Sequence, residues 1–198
     1  MDAKILSIDK VGDKLIMKLD TKLNFKPGNT IDVIFDNDKR TFSIASSPFE
    51  DFLMFATKIR NSAFKQRLST LKPGDKLSFE GPFEDEFVIK DSDEYVFITK
   101  GIGITPIRSM ILYLLKDKPK SKIILFYEPD DDGTILFKED LEKVAKFEKP
   151  SADELRPYQD ALFYISGMPT NTKEYAKLAL DAGGKTGKII IEPFSGYP

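Results

Sequence analysis

Asp91-Ser92-Asp93-Glu94-Tyr95-Val96-Phe97-Ile98-Thr99-Lys100-Gly101-Ile102-Gly103-Ile104-Thr105-Pro106 is where the chain changes its pattern. The polar opening reads as a boundary, which divides the chain into residues 1–92 and 93–198. Residues 95–99, apolar up to Thr99, have the pattern and length of a buried strand. Two glycines then let the backbone bend tightly, and Pro106 suits the first turn of a helix predicted over 105–115. A strand, a glycine loop and a helix in that order present backbone N–H groups and a helix dipole to an anion such as a pyrophosphate. Pro106 stands where a Rossmann G-x-G-x-x-G would carry its third glycine, so this is a different loop. A tight strand-to-helix connection with no ligand is the alternative reading.

Downstream the same alternation repeats. Apolar strands are expected at 123–127 and 161–165, each followed by a loop and a helix, at 137–147 and 171–182, and a last strand at 188–191. Residues 151–159 read as a loop or a single turn. Strands alternating with helices imply a parallel sheet, and ligands of such sheets bind at the carboxyl ends of the strands. Ser166-Gly167-Met168-Pro169 is a second strand-end loop, expected beside the first and forming a crevice with it. The final strand runs into Glu192-Pro193-Phe194-Ser195-Gly196-Tyr197-Pro198, which either lines that crevice or is a polar tail.

Upstream the period is two. Residues 4–8 and 15–19 alternate around Gly12-Asp13 as a hairpin, and 30–35 follows the turn Pro27-Gly28-Asn29. The next strand, Arg40-Thr41-Phe42-Ser43-Ile44-Ala45-Ser46-Ser47-Pro48, puts Phe42 and Ile44 on one face and Thr41 and Ser43 on the other. It combines a phosphate-matching guanidinium, a ring and hydroxyls, the groups that suit a ligand with a phosphate and a polar heterocycle. An ordinary strand with a charged start is the alternative. Residues 52–59 and 76–80 are further strands, separated by a short helix with Phe64, Leu68 and Leu71 on one face and Ser62 as its N-cap. About six short strands at this spacing predict a small antiparallel barrel. Across residues 58–76, Lys58, Arg60, Lys65, Arg67, Lys72 and Lys76 face a single acid, Asp75. That run is a solvated helix face or, with the helix start at Ser62, a phosphate site.

The composition narrows the chemistry. The chain has 198 residues, 41% hydrophobic and 31% charged, with net charge -2, which describes a globular protein with no electrostatic case for nucleic acid. Cysteine and histidine are both absent. That excludes disulfides, iron–sulfur ligation, His-based zinc sites and Ser-His-Asp or Cys-His catalysis. No metal site is expected. No apolar run reaches the length of a membrane span and the start lacks a secretory segment, so a cytoplasmic protein is expected.

The order of these pieces resembles the ferredoxin–NADP⁺ reductase family: Arg40-x-Phe42-Ser43 in a barrel, Gly101-x-Gly103-x-Thr105-Pro106, Ser166-Gly167-x-Pro169, and a closing Glu192-x-Phe194-x-Gly196-Tyr197. Asn61-Ser62-Ala63-Phe64-Lys65 and Gly81-Pro82-Phe83 also look like that family's barrel. The resemblance covers essentially the whole chain. It implies a six-stranded antiparallel Greek-key flavin-binding barrel over 1–92 and a parallel α/β NAD(P)-binding domain over 93–198.

The resemblance also implies roles. Arg40 would hold a flavin phosphate, Thr41 would belong to the same motif, Phe42 would pack along the flavin, and Ser43 would reach N5. Phe42 replaces the family's usual tyrosine, which removes a hydroxyl contact and keeps the packing. Ser62, Ala63 and Phe64 would form the second phosphate segment. Gly101, Gly103, Thr105 and Pro106 would hold the nicotinamide nucleotide, with Lys100 where a glycine is common. Gly167, Met168 and Pro169 would complete that loop pair, Ser166 replacing a cysteine often found there, and Phe194 would close the site. Ser43, Thr105 and Glu192 would stand nearest the chemistry, hydride passing from the nicotinamide to the flavin. FAD is the implied flavin, with FMN the alternative, and NADH or NADPH the co-substrate. The carboxylates of Glu128-Pro129-Asp130-Asp131-Asp132 predict NADH, because they would repel a 2′-phosphate and accept from a ribose hydroxyl; a solvated acidic turn is the alternative. An electron-transfer subunit, docking an acidic redox protein along the basic run Lys58–Lys76, and a flavin- or nucleotide-binding module without turnover are the competing readings.

Overall fold

The computed structural model describes residues 1–84 and 86–194. Its first half is a sheet of six antiparallel strands: β1 (Asp2–Val11), β2 (Lys14–Leu19), β3 (Thr30–Phe35), β4 (Asp38–Ser43), β5 (Leu53–Lys58) and β6 (Lys76–Phe83). Their order is β4-β3-β6-β1-β2-β5. An antiparallel bridge from Ile44 to Phe55 joins the two outer strands and closes the Greek-key barrel. The period-two pattern explains what fills it: Leu15, Met17, Ile31, Val33, Phe42 and Phe55 point inward and are buried, while the alternate residues face out. Helix α1 (Ala63–Thr70) adds Phe64 and Leu68 to that core.

The second half is a parallel sheet of β7 (Glu94–Lys100), β8 (Lys122–Glu128), β9 (Ala145–Lys146), β10 (Leu162–Gly167) and β11 (Ile189–Pro193), ordered β11-β10-β7-β8-β9. On β7, Tyr95 and Phe97 pack towards α2 (Ile104–Asp117), while Val96 and Ile98 join the opposite layer with Tyr175 and Ala179 of α5 (Pro169–Asp181). Ile16, Met54 and Ala56, on the barrel's outer face, belong to the same cluster as the α2 layer. One apolar seam therefore joins barrel and sheet.

The helix expected over 137–147 is not there. Only α3 (Lys138–Leu141) is helical. The chain then turns so that the Val144 carbonyl accepts from Leu125 N–H at 2.9 Å, and β9 pairs with β8. An otherwise bare sheet edge outcompetes the helical period there. Conversely, the irregular stretch 151–159 holds α4 (Ala152–Leu155), started by a capping box between Ser151 and Glu154, and a 3₁₀ turn over Arg156–Tyr158. The Gly196-Tyr197 part of the closing motif lies outside the described residues.

Candidate functional site

On the barrel side, the site grows from β4. Phe42 is buried, its ring 5.0 Å from Phe55 and 6.3 Å from Phe64. Thr41 donates its hydroxyl to Asp32 at 2.6 Å. Ser43 is half-buried opposite Thr30. Arg40 is exposed, lies 5.5 Å over the Phe64 ring, and bonds Asp38 and the Lys39 carbonyl. Helix α1 begins here: Ser62 accepts from Lys65 N–H at 3.3 Å as its N-cap, and Ala63 and Phe64 form its first turn. The β-branched and aromatic alternation makes the strand, and the capping serine fixes where the helix starts beside it.

Lys65 is the unexpected member. Its ammonium lies 4.3 Å over the Phe42 ring and donates to the Thr57 hydroxyl. No carboxylate among the described residues forms an ion pair with it. Burial first, and then Arg40 and Arg60, pull its pKa down from 10.5 to about 8. A half-buried cation among two guanidiniums at a helix start is an electrostatic arrangement that an anion would stabilise.

On the sheet side, the two glycine loops touch. Ser166 donates its hydroxyl to the Gly103 carbonyl at 2.7 Å, and Thr99 donates to the Ser166 carbonyl at 2.9 Å. A Cβ on Gly103 would lie 2.4 Å from Thr99 Oγ1 and 2.8 Å from Gly167 Cα, so only glycine lets the loops approach this closely. Gly101 (φ +53°) and Gly167 (φ +132°) sit in the left-handed region. Tyr127 donates to the Gly101 carbonyl at 3.1 Å from below. Thr105 is buried and donates to the Ile102 carbonyl at 2.8 Å, and Pro106 is buried beside it. These two residues shape the loop from within. Phe194 donates its N–H to the Gly167 carbonyl at 2.8 Å, and Glu192 stands opposite Ser166 in the strand ladder.

A cavity of 190 Å³ opens where these elements meet, lined among others by Lys58, Arg60, Lys100, Gly101, Asp130 and Met168. Pro169 begins α5 next to Met168. Arg60 thus belongs both to this cavity and to the surroundings of Lys65. A larger cleft of 470 Å³, at Glu94, Lys122 and Lys143, opens at the other end of the strands, away from both glycine loops. Parallel sheets bind ligands at the carboxyl ends, which favours the smaller cavity.

The acidic segment after β8 is not a bare set of carboxylates. Lys100 pairs with Glu128 at 3.1 Å and Asp131 at 2.8 Å, while Lys14 pairs with Asp130 at 2.8 Å and Asp132 at 2.7 Å. Glu128 also accepts from the Tyr175 hydroxyl at 2.6 Å. Sequence reading gave no functional weight to Lys14, Glu50 or Arg108. Apart from Asp13 beside Lys14, their charged partners are distant in the chain, and a lone charged side chain carries no local signal.

Residues 97–171 match the family of oxidoreductase NAD-binding domains. The chain is 27% identical over 201 residues to a subunit of the Na(+)-translocating NADH-quinone reductase of Neisseria gonorrhoeae, a match covering 79% of this chain and 49% of that protein. Among solved structures, the flavohem-like FAD/NAD binding domain of nitric oxide dioxygenase from Vibrio cholerae superposes with TM-score 0.81 at 18% identity, covering 98% of each chain. An H286L mutant of ferredoxin-NADP+ reductase from Plasmodium falciparum superposes with TM-score 0.77 at 17% identity, covering 98% of this chain and 95% of that one. The chain shares the fold of these reductase structures, and residues 97–171 are similar to an oxidoreductase NAD-binding domain. The chain spans about half the length of the curated relative it matches, and its two halves carry the barrel and the parallel sheet that the resemblance implies. No helix among its described residues is long and apolar enough to cross a membrane.

Proposed function

We propose that the chain is a flavin-dependent NAD(P)H oxidoreductase, NADH favoured, that passes electrons to a separate acceptor. The observation that carries this reading is the cation set of Arg40, Arg60 and Lys65 at the start of α1, joined through Arg60 to the cavity at the two glycine loops. An anionic cofactor on the barrel and a dinucleotide on the sheet would thereby meet at one place.

The residues present fit a flavin. Arg40, Lys65 and the first turn of α1, with Ser62, Ala63 and Phe64, would hold its phosphate, and Phe42 would supply packing without a hydroxyl. Ser43 and Thr41 would border the ring on the outward face of β4. When bound, the flavin supplies the hydride-accepting centre and releases electrons one or two at a time. The chain's own contribution is to orient the reactants and exclude water. Gly101, Gly103 and Gly167 give the close approach, Thr105 and Pro106 set the loop, and Met168, Pro169, Glu192 and Phe194 border it. FAD is our choice of flavin, with FMN the alternative, and the cytoplasm our choice of location.

Purified protein reconstituted with FAD or FMN tests the reading. A yellow protein whose flavin band bleaches with NADH supports it, and failure to take up either flavin overturns it. The match to one component of a larger reductase favours a second reading, an electron-transfer subunit that meets an acidic redox partner across Lys58, Arg60, Arg67 and Lys76. Turnover of small-molecule acceptors by the isolated chain separates the two.

A further inference from the structure

Lys14 and Lys58 stand directly opposite each other on β2 and β5. Like charges in that relation repel, and Lys14 has no exposed side-chain surface at all. The carboxylates of Asp13 and Asp130 resolve the conflict. Lys14 Nζ lies 2.7 Å from Asp13, 2.8 Å from Asp130 and 2.7 Å from Asp132. Lys58 Nζ lies 3.2 Å from Asp13 and 3.1 Å from Asp130. Burial opposes the charge on Lys14, but the three carboxylates together raise its pKa above that of an ordinary lysine.

Asp130 and Asp132 belong to the loop after β8, whereas Lys14 and Asp13 belong to the tip of a barrel hairpin. The two pieces are in close contact: a Cβ on Gly12 would lie 2.8 Å from Asp132 Oδ2. On its other side Asp130 backs onto the glycine loop, since a Cβ on Gly101 would lie 2.9 Å from Asp130 Cγ. Asp130 and Asp131 are themselves part of the cavity wall.

We propose that Lys14 is a positioning residue for the dinucleotide: by gathering Asp13, Asp130 and Asp132 it docks the loop 129–134 on the barrel and holds one wall of the nucleotide cavity in place. This rests on the reading of that cavity as the NAD(P)H site. Lys14 touches no ligand in this role. Its removal leaves Lys58 alone against three carboxylates, and the loop moves away from the barrel and from Gly101.

The test compares flavin-reconstituted wild type, Lys14→Met, Lys14→Met/Asp130→Asn, and Leu77→Ala, a core change in the barrel far from the loop. In Lys14→Met the KM for NADH is expected to rise about tenfold, with kcat at saturating NADH changing about twofold or less. In the double variant the KM rises little beyond that of Lys14→Met, because both changes cut the same tie between loop and barrel. Leu77→Ala lowers the Tm and leaves KM as it was. Should Lys14→Met fail to fold, Asp132→Asn, which removes one arm of the clamp, gives the same effect in smaller measure. An unchanged KM in a folded Lys14→Met, or an equal rise in Leu77→Ala, overturns the proposal. If wild type does not oxidise NADH, it is the functional reading that fails. The clamp is then judged by amide exchange of residues 130–134, protected in wild type and exposed in Lys14→Met; a loop equally unprotected in both overturns it.

Discussion

Arg108 grips the carboxylate of Glu50 with both arms of its guanidinium, Nη1 to Oε2 at 2.8 Å and Nη2 to Oε1 at 3.0 Å. The same side chain donates to the Ala45 carbonyl at 2.8 Å and to Asp140 at 2.7 Å. Its neighbour Ser109 donates to the Ser46 carbonyl at 2.6 Å. The helix that begins at the glycine loop is therefore tied to the segment that follows β4. Arg108 is only 4% exposed, and removing one partner of a buried pair leaves an uncompensated charge.

Arg108→Ala is accordingly expected to lower the unfolding free energy by about 3 kcal/mol or more, measured by denaturant titration. Arg108→Lys should fall between, since an ammonium cannot reproduce the two-pronged grip. Burial pushes the Glu50 carboxyl up, but its bonds to Arg108 outweigh burial and hold it below an ordinary glutamate. A depressed carboxylate stabilises the fold above its unfolded pKa and loses that contribution as pH falls through the folded value. The acid side of the stability profile should therefore flatten in Arg108→Ala. Equal stability of the variant and the wild type would refute the role given to this grip.

Lys65 titrates the other way. Its folded pKa of about 8 lies below the ordinary 10.5, so the charged form penalises the fold below about pH 8. That penalty is relieved between about pH 8 and about pH 10.5. The flavin-free protein should gain stability across this window, and Lys65→Met should show no such gain. A bound phosphate favours the charged lysine, so flavin affinity is expected to fall as pH rises past about 8. Arg40→Ala should weaken flavin retention at all these pH values with little loss of stability, because Arg40 is exposed. Fluorescence titration of FAD and FMN at about pH 7 and about pH 9.5 checks both; pH-independent binding to wild type would remove Lys65 from the site.

The legible parts were those with a local signal. Alternation in 30–35 and the Gly-x-Gly after an apolar run located β3 and the first glycine loop within a residue. The helical period over 137–147 misled, because the need of the β8 edge for a partner is a tertiary fact. Nothing marks Arg108, whose carboxylates lie 58 and 32 positions away. The acidic run 128–132 was visible as composition, but the lysine that binds two of its members is more than a hundred residues upstream, which turned a free-looking acidic turn into a paired one.

Gly103 gives a sharp steric prediction. A Cβ there meets Thr99 Oγ1 at 2.4 Å, the Ser166 carbonyl at 2.5 Å and Gly167 Cα at 2.8 Å, and two of these are backbone that cannot swing aside. Gly103→Ala should cost about 1–3 kcal/mol and separate the two loops, abolishing NADH-dependent flavin reduction. Gly187→Ala, where a Cβ meets nothing within 4 Å, is the matched control. Wild-type rates in Gly103→Ala would show that the contact between the loops has no part in the site.

The nucleotide preference now rests on different grounds from simple repulsion. Glu128 ends β8, where an acid can accept from a ribose hydroxyl, and it is oriented by Tyr175 at 2.6 Å and Lys100 at 3.1 Å. Lys100 is occupied by Glu128 and Asp131, so it is not free to meet a 2′-phosphate. We expect kcat/KM to favour NADH over NADPH in the wild type. In Glu128→Gln/Asp131→Asn the lysine is released while the acids no longer repel, and the ratio should narrow by about tenfold, mostly through a lower KM for NADPH. Steady-state kinetics with both nucleotides decide it. A wild type that prefers NADPH would mean that Lys100 leaves its carboxylates for the phosphate, and would reverse the role assigned to that pair.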